Sequence, residues 1–210
     1  MVVRTIFSHL ATADVPEEEA YARTQIATFD KISSALLEAL PYHALRHICN
    51  SAGIEKFPEA QYDMCRLGIG LYGFGTQGLR EVSSLHSRIV QVRSLPAGTT
   101  IGYGRAGVLE RDSKIATVPI GYADGLDRGL GCGRWSMMVG GKPAPIVGRV
   151  CMDSCMIDVT DCEAAEGDRV TIFGGGKGNS AEDMANVLGT IVYEVMTSVS
   201  GRVRRVYIKE

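Results

Sequence analysis

The period of the apolar positions changes along the chain, and the change divides it. Residues 2–8, Val-Val-Arg-Thr-Ile-Phe-Ser, are rich in β-branched and aromatic side chains and predict a buried strand, ending at His9-Leu-Ala-Thr-Ala-Asp14. Ile26, Phe29, Ile32, Leu36 and Leu40 then recur at helical spacing. Asp14 with Glu17 forms a capping-box-like start, Pro16 falls in the first turn, and the helix should run to about Leu40. Two short apolar strands are expected around Leu45–Cys49 and Cys65–Tyr72, separated by a turn and a short helical piece at Phe57-Pro58-Glu59. This alternation argues for parallel strands with helical crossovers, as in a doubly wound sheet or a (β/α)₈ barrel. Three strands cannot close a barrel, so an open edge and an apolar face would need covering.

From about Leu85 the pattern becomes one of short strands divided by Pro96-Ala-Gly98, Gly140-Gly141 and Glu166-Gly-Asp168, the punctuation of an antiparallel all-β domain. This places a boundary near residues 75–83. Near the end, Ser180 and Thr190 can cap two short helices, Gly201 can terminate the second, and Arg202–Ile208 alternates as a closing strand.

With 210 residues, 45% hydrophobic and 22% charged, the chain suits a globular protein with one substantial core or two modest ones. The net charge of -2, with Lys and Arg scattered, gives no footprint for nucleic acid or an anionic membrane and favours a small-molecule partner. No apolar run approaches the roughly 20 residues of a spanning helix, and the segment from Met1 to Ile6 is too short for a signal h-region, so a cytoplasmic location is expected. None of the six cysteines forms C-x-x-C. Cys151 and Cys155 would share one strand face, but two ligands fall short of a zinc site, and no metal is expected.

Several segments carry more polar chemistry than a strand needs. His47-Ile-Cys-Asn50-Ser51 would lie at the carboxyl-end face of a barrel strand, where such barrels bind ligands, although taken alone a hydrogen-bonded loop explains it better. Arg66-Leu-Gly68-Ile69-Gly70 sets an arginine among apolar residues and glycines. It needs a partner or ligand, and Gly68 and Gly70 would let backbone N–H groups approach a phosphate; a snorkelling arginine beside packing glycines is the competing reading. Gly102-Tyr103-Gly-Arg105 and Gly121-Tyr122-Ala-Asp124-Gly125 each hold a tyrosine between small residues, which exposes its hydroxyl, although taken alone each reads more readily as a turn than as a site. Gly148-Arg149-Val-Cys-Met152-Asp153 places an acid in a strand-like run, for which a core strand is the competing reading. The cluster Gly174-Gly-Gly-Lys177-Gly178 lacks the Ser or Thr of a phosphate loop and reads as an ordinary loop.

Together and in this order, Ser8-His-Leu-Ala-Thr-Ala-Asp14, Asn50-Ser-Ala52 with Phe57-Pro-Glu59, Asp63-Met-Cys-Arg-Leu-Gly-Ile-Gly-Leu-Tyr-Gly73, Gly102-Tyr-Gly-Arg105, Pro119-Ile-Gly-Tyr-Ala-Asp-Gly125 and Gly148-Arg-Val-Cys-Met-Asp153 resemble the alanine racemase family over nearly the whole chain. The resemblance implies a pyridoxal 5'-phosphate enzyme that interconverts L- and D-alanine, supplies D-alanine for peptidoglycan and works as a head-to-tail dimer. It also implies an amino-terminal (β/α)₈ barrel, whose last three strands would lie in residues 1–78, and a β domain in residues 79–210.

By the same resemblance, Tyr103 is one of two acid/base groups, and Arg66 faces the cofactor's ring nitrogen with His47 hydrogen-bonded to it. Ser51, Gly68, Ile69 and Tyr193 hold the phosphate, Met152 and Asp153 contact the substrate, Tyr122 gates the site, and His9 lies close to the catalytic tyrosine. A tyrosine acting as base requires local stabilisation of its phenolate. The family's second base, the Schiff-base lysine, has no counterpart among Lys31, Lys56, Lys114, Lys142, Lys177 and Lys209. Met1 would therefore be an internal start or mark a truncation, and the chain alone is expected to be inactive, needing a missing amino-terminal half as well as a dimer partner. Two other readings stay open: a non-catalytic dimerising β module, and a related pyridoxal-phosphate amino-acid decarboxylase.

Overall fold

The computed structural model describes residues 2–76 and 78–208; Met1 and Lys209 lie outside the described residues. The chain packs as two compact units, Met1–Glu81 and Val82–Glu210.

In the first unit β1 (Thr5–Phe7) pairs in parallel with β2 (Leu45–His47), Phe7 opposite His47, and α1 (Glu19–Ala39) makes the crossover. The strand expected to be buried is not: Phe7 is 67% exposed, and Val2 and Val3 are exposed as well. The cause is the two-residue alternation of a strand with one covered face. Ile6 packs inward on the core cluster that holds Leu10, Ile48 and Phe57, and its neighbours point out. The helix start also differs. Pro16–Glu18 forms a 3-10 turn with Pro16 in its first turn, and the caps at Val15 and Glu18 use no side chain, so Asp14 and Glu17 make no capping box. Of the apolar stripe on α1, Phe29 is buried with Ala22, whereas Ile32 and Leu36 are exposed, because the core beneath the helix reaches little further than Phe29.

After β2, Asn50 caps the short helix α2 (Ser51–Lys56) by accepting from Gly53 N at 3.0 Å, and Pro58–Ala60 forms a 3-10 turn. The strand expected over Cys65–Tyr72 does not form. Arg66 N reaches Cys49 O at 3.0 Å, but Gly68 and Gly70 turn the backbone toward Ser51, and Ile69–Tyr72 closes as a 3-10 helix ending on the left-handed Gly73.

The second unit is a curled antiparallel sheet of seven strands: β3 (Leu85–Arg88), β4 (Gln91–Leu95), β7 (Ser113–Val118), β8 (Ser136–Val139), β9 (Lys142–Val147), β10 (Cys155–Asp158) and β11 (Arg169–Phe173). Their spatial order is β3-β11-β8-β9-β10-β7-β4, and a separate hairpin holds β5 (Thr100–Ile101) and β6 (Gly107–Val108). Both ends of the sheet belong to one bent stretch. Ile89 N bonds Asp168 O at 2.9 Å and Val90 N bonds Thr117 O at 3.0 Å, carrying the pairing across the bend from β3 to β4. Every second residue of β8 to β11 is buried (Met137, Val139, Ala144, Ile146, Cys155, Ile157, Val170, Ile172), the period-two pattern of a sheet with one covered face.

Ser180 caps α3 (Ala181–Leu188) in a full capping box with Asp183. Thr190 does not cap α4 (Val192–Ser198): Ile191 holds that position, and the Thr190 hydroxyl bonds Glu194 instead. Gly201 does not end α4, which stops at Val199; the left-handed glycine is Gly189, after α3. Residues 202–208 form no strand, and Val206, Tyr207 and Ile208 are exposed. Cys151 and Cys155 do not share a strand. Cys155 is buried in β10, with its thiol pushed up to about 12 chiefly by burial, whereas Cys151 precedes the strand in a turn. Among the described residues no helix is long and apolar enough to cross a membrane.

Candidate functional site

In the first unit three predicted residues meet at one point: His9 just after β1, His47 at the end of β2, and Arg66 from the segment before the Ile69–Tyr72 turn. The Arg66 guanidinium meets His47 Nδ1 at 2.6 Å and His9 Nδ1 at 3.1 Å, and donates to Ser8 O at 2.8 Å. A guanidinium has only donors, so both imidazoles accept through Nδ1. Phe7 stacks on the His47 ring at 5.4 Å and 5°, and Arg66 lies 5.6 Å above the Phe7 ring centre. Arg66 is thus a half-buried cation held in a fixed orientation through Nη1 and Nη2, which a snorkelling arginine would not have.

Burial, and then the Arg66 charge, lower the His47 pKa from its ordinary 6.5. A histidine depressed on folding binds its proton more readily when unfolded. Its contribution to stability is therefore complete above about pH 6.5 and is lost as the pH falls through the depressed value. We expect an NMR titration of the His47 ring to give a midpoint below that of a free histidine. In Arg66→Gln the midpoint should move part of the way back, burial remaining; an unchanged midpoint would mean that the Arg66 charge is not felt at the ring.

Ser51, Gly68 and Ile69 form a second cluster on the same unit. Ser51 Oγ, buried, accepts from Gly68 N at 3.0 Å and from Gly70 N at 3.1 Å. These two N–H groups are therefore occupied by the serine instead of facing outward, which differs from the role read from the glycines. With both lone pairs of the hydroxyl engaged, its one remaining polar capacity is the O–H donor, which suits an anionic acceptor. A Cβ on Gly70 would lie 2.8 Å from Leu67 Cδ1, the tip of an exposed side chain that can move aside. The shallow hollow lined by Arg23, Asp30, Glu59 and Tyr62 lies on the α1 side of this unit, where Arg23 is already paired with Glu19 and Glu59.

In the second unit Tyr103 stands at the tip of the β5–β6 hairpin, 72% exposed. The glycines on either side, with φ of +77° and +67°, adopt backbone that side chains disfavour and force the tyrosine outward. The hairpin lies against the end of β9, where a Cβ on Gly148 would come within 2.6 Å of Ile101 O. Arg149 reaches along it toward Gly104.

Tyr122, Met152 and Asp153 come together through backbone. Tyr122 N bonds Cys151 O and Ala123 N bonds Met152 O, each at 3.0 Å, an approach that only glycine at position 121 permits: its Cβ would lie 2.3 Å from Met152 O. The three side chains stay exposed. Two residues to which the sequence assigned no role at the site join this group. Arg202 Nε donates to Asp124 Oδ1 and Nη2 to Asp153 Oδ1, both at 2.6 Å. Burial alone would raise the Asp124 pKa, but the bonds from Arg202 and Gly121 N hold it below the usual carboxylate range. The one signal for this pair was an acid inside a Gly-Tyr-Ala-Asp-Gly turn, because Arg202 lay in a stretch read as a strand. Tyr193 lies on α4 of the second unit, half exposed.

Comparison with known proteins matches residues 1–75 to the family model "Alanine racemase, N-terminal domain" and residues 82–207 to "Alanine racemase, C-terminal domain". Alanine racemase 2 of Caldanaerobacter subterraneus subsp. tengcongensis is 45% identical over 97% of this chain and 54% of its own length. Alanine racemase of Bacillus anthracis, solved with bound L-Ala-P, superposes with a TM-score of 0.90 at 35% identity, covering 99% of this chain and 56% of that one. Alanine racemase of Bartonella henselae, solved with covalently bound pyridoxal phosphate, gives 0.85 at 32% identity, covering 98% and 56%. The chain spans about half the length of the curated relatives it matches.

Proposed function

Since the chain belongs to the alanine racemase family, we propose that it forms the carboxyl-terminal part of an enzyme interconverting L- and D-alanine with pyridoxal phosphate. Residues 1–78 are the last part of a (β/α)₈ barrel, and residues 79–210 are the β domain. The observation that carries this reading is the Arg66–His47–His9 cluster beside the Ser51 hydroxyl, in a chain that also exposes Tyr103.

The residues present fit the cofactor. A guanidinium locked by two imidazoles and a carbonyl can donate to a ring nitrogen, and the free Ser51 O–H can donate to a phosphate oxygen, with Ile69 beside it and Tyr193 supplying a further hydroxyl. Bound pyridoxal phosphate would supply the electron sink that lets the Cα–H bond of alanine ionise. Because an arginine keeps its own protons, Arg66 leaves the ring nitrogen unprotonated and limits how far charge spreads, which restrains side reactions.

Inversion at Cα needs a proton taken from one face and another returned to the opposite face. Tyr103 serves one face, offered to the barrel of a partner subunit. Tyr122, Met152 and Asp153 would border the substrate, His9 would serve the tyrosine's side of the site in the assembled enzyme, and the second base would come from outside the described residues. The test is to join this chain to the amino-terminal half of the Caldanaerobacter relative and assay it. Racemisation of alanine with bound pyridoxal phosphate is expected. Decarboxylation across an amino-acid panel, or a folded, cofactor-loaded chimera with no turnover, would count against the reading.

A further inference from the structure

We propose that Arg202 is a positioning residue that fixes the spacing between the Tyr122 turn and the Met152–Asp153 turn. The proposal rests on the proposed function, in which these turns border the substrate. The guanidinium uses one edge as a fork, with Nε on Asp124 and Nη2 on Asp153, each at 2.6 Å. Those carboxylates come from two different turns, so one planar group sets the distance between them. Asp124 carries the restraint inward. Its Oδ2 accepts from Gly121 N at 2.9 Å, so the carboxylate spans the start of the Tyr122 turn while its Oδ1 holds Arg202.

The clamp is built on a firm base. Asp124 is only 13% exposed, Ser200 N bonds Asp124 O at 3.0 Å, and the Ser198 hydroxyl bonds Gly125 O at 3.2 Å, so the segment bearing Arg202 is itself tied to the same turn. On the other side, Asp153 is 62% exposed and has no second ion pair among the described residues, so Arg202 is what orients it. An exposed pair of this kind ordinarily adds little stability. Its effect is geometric: without Arg202 the Asp153 end is free to swing, and the backbone bonds from Tyr122 N to Cys151 O and from Ala123 N to Met152 O open more often. Lysine could satisfy one carboxylate but not span both.

Hydrogen exchange followed by mass spectrometry tests the clamp on the chain as it is. Arg202→Gln should speed exchange roughly tenfold in residues 121–125 and 151–155, as expected when charge-assisted bonds are lost, with residues 136–147 unchanged. Arg202→Lys should restore only part, and Asp153→Asn added to Arg202→Gln should change nothing further. Unchanged exchange at 151–155, or an equal rise throughout the sheet, would overturn the proposal. In the racemising chimera, Arg202→Gln should raise the KM for alanine about fivefold with kcat held within about twofold, the split expected when substrate positioning is lost; an unchanged KM overturns the positioning role. An unsubstituted chimera that does not racemise counts against the functional reading, and the exchange measurement still decides the clamp.

Discussion

Tyr103→Phe is expected to lower alanine racemisation in the chimera by roughly 10²- to 10⁴-fold, the range for removing a group that moves a proton in the transition state. The fold should not change. The side chain is 72% exposed, and its hydroxyl has no hydrogen-bond partner among the described residues, so the melting temperature should stay within the scatter of ordinary surface substitutions. A second readout separates the two faces of the reaction. If Tyr103 serves one face only, the variant in deuterium oxide should still exchange the Cα hydrogen of one alanine enantiomer while failing to invert it. Loss of exchange from both enantiomers would mean that Tyr103 acts on both faces or supports cofactor binding. Retention of full inversion would remove it from the reaction altogether. The cofactor absorbance of the variant, expected to match the parent, distinguishes a chemical defect from a binding one.

What the sequence made legible divides along physical lines. Parallel pairing of β1 with β2 through α1 follows from a change of apolar period, and the short antiparallel strands follow from glycine and proline spacing. Each is a property of consecutive residues. The misreadings arise where a distant partner decides. Cys65–Tyr72 has a strand's composition, but the Ser51 hydroxyl captures the N–H groups of Gly68 and Gly70 and coils the segment. Arg202–Ile208 alternates as a strand would, yet Arg202 is drawn to Asp124 and Asp153, and among the described residues no strand pairs with residues 203–208. In the same way, Arg66 was legible as a cation needing a partner, and the family pattern supplied His47. The stacked Phe7 and the Ser8 carbonyl could not be inferred, because both depend on where β1 ends beside β2.

The exposed tyrosine depends on a residue remote from it in sequence. At Gly148 φ is +69°, and a Cβ would lie 2.6 Å from Ile101 O and 3.4 Å from Gly107 N, so it would press on both strands of the hairpin that carries Tyr103. Neither of those atoms can rotate away, since both are backbone. Gly148→Ala should therefore cost about 1 kcal/mol for the left-handed conformation and a further 1–3 kcal/mol, roughly, for overpacking. Unfolding followed by circular dichroism should show a melting temperature lower by roughly 10 °C. Gly141→Ala is the control. Its φ is +80°, but nothing lies within 4 Å of the added Cβ, so only the conformational cost of about 1 kcal/mol applies. If the two variants melt together, the contact between β9 and the hairpin is softer than its backbone geometry implies. If Gly148→Ala alone melts early, and the chimera bearing it also loses racemisation below its melting point, then the placement of Tyr103 rests on the close packing of Gly148 against Ile101.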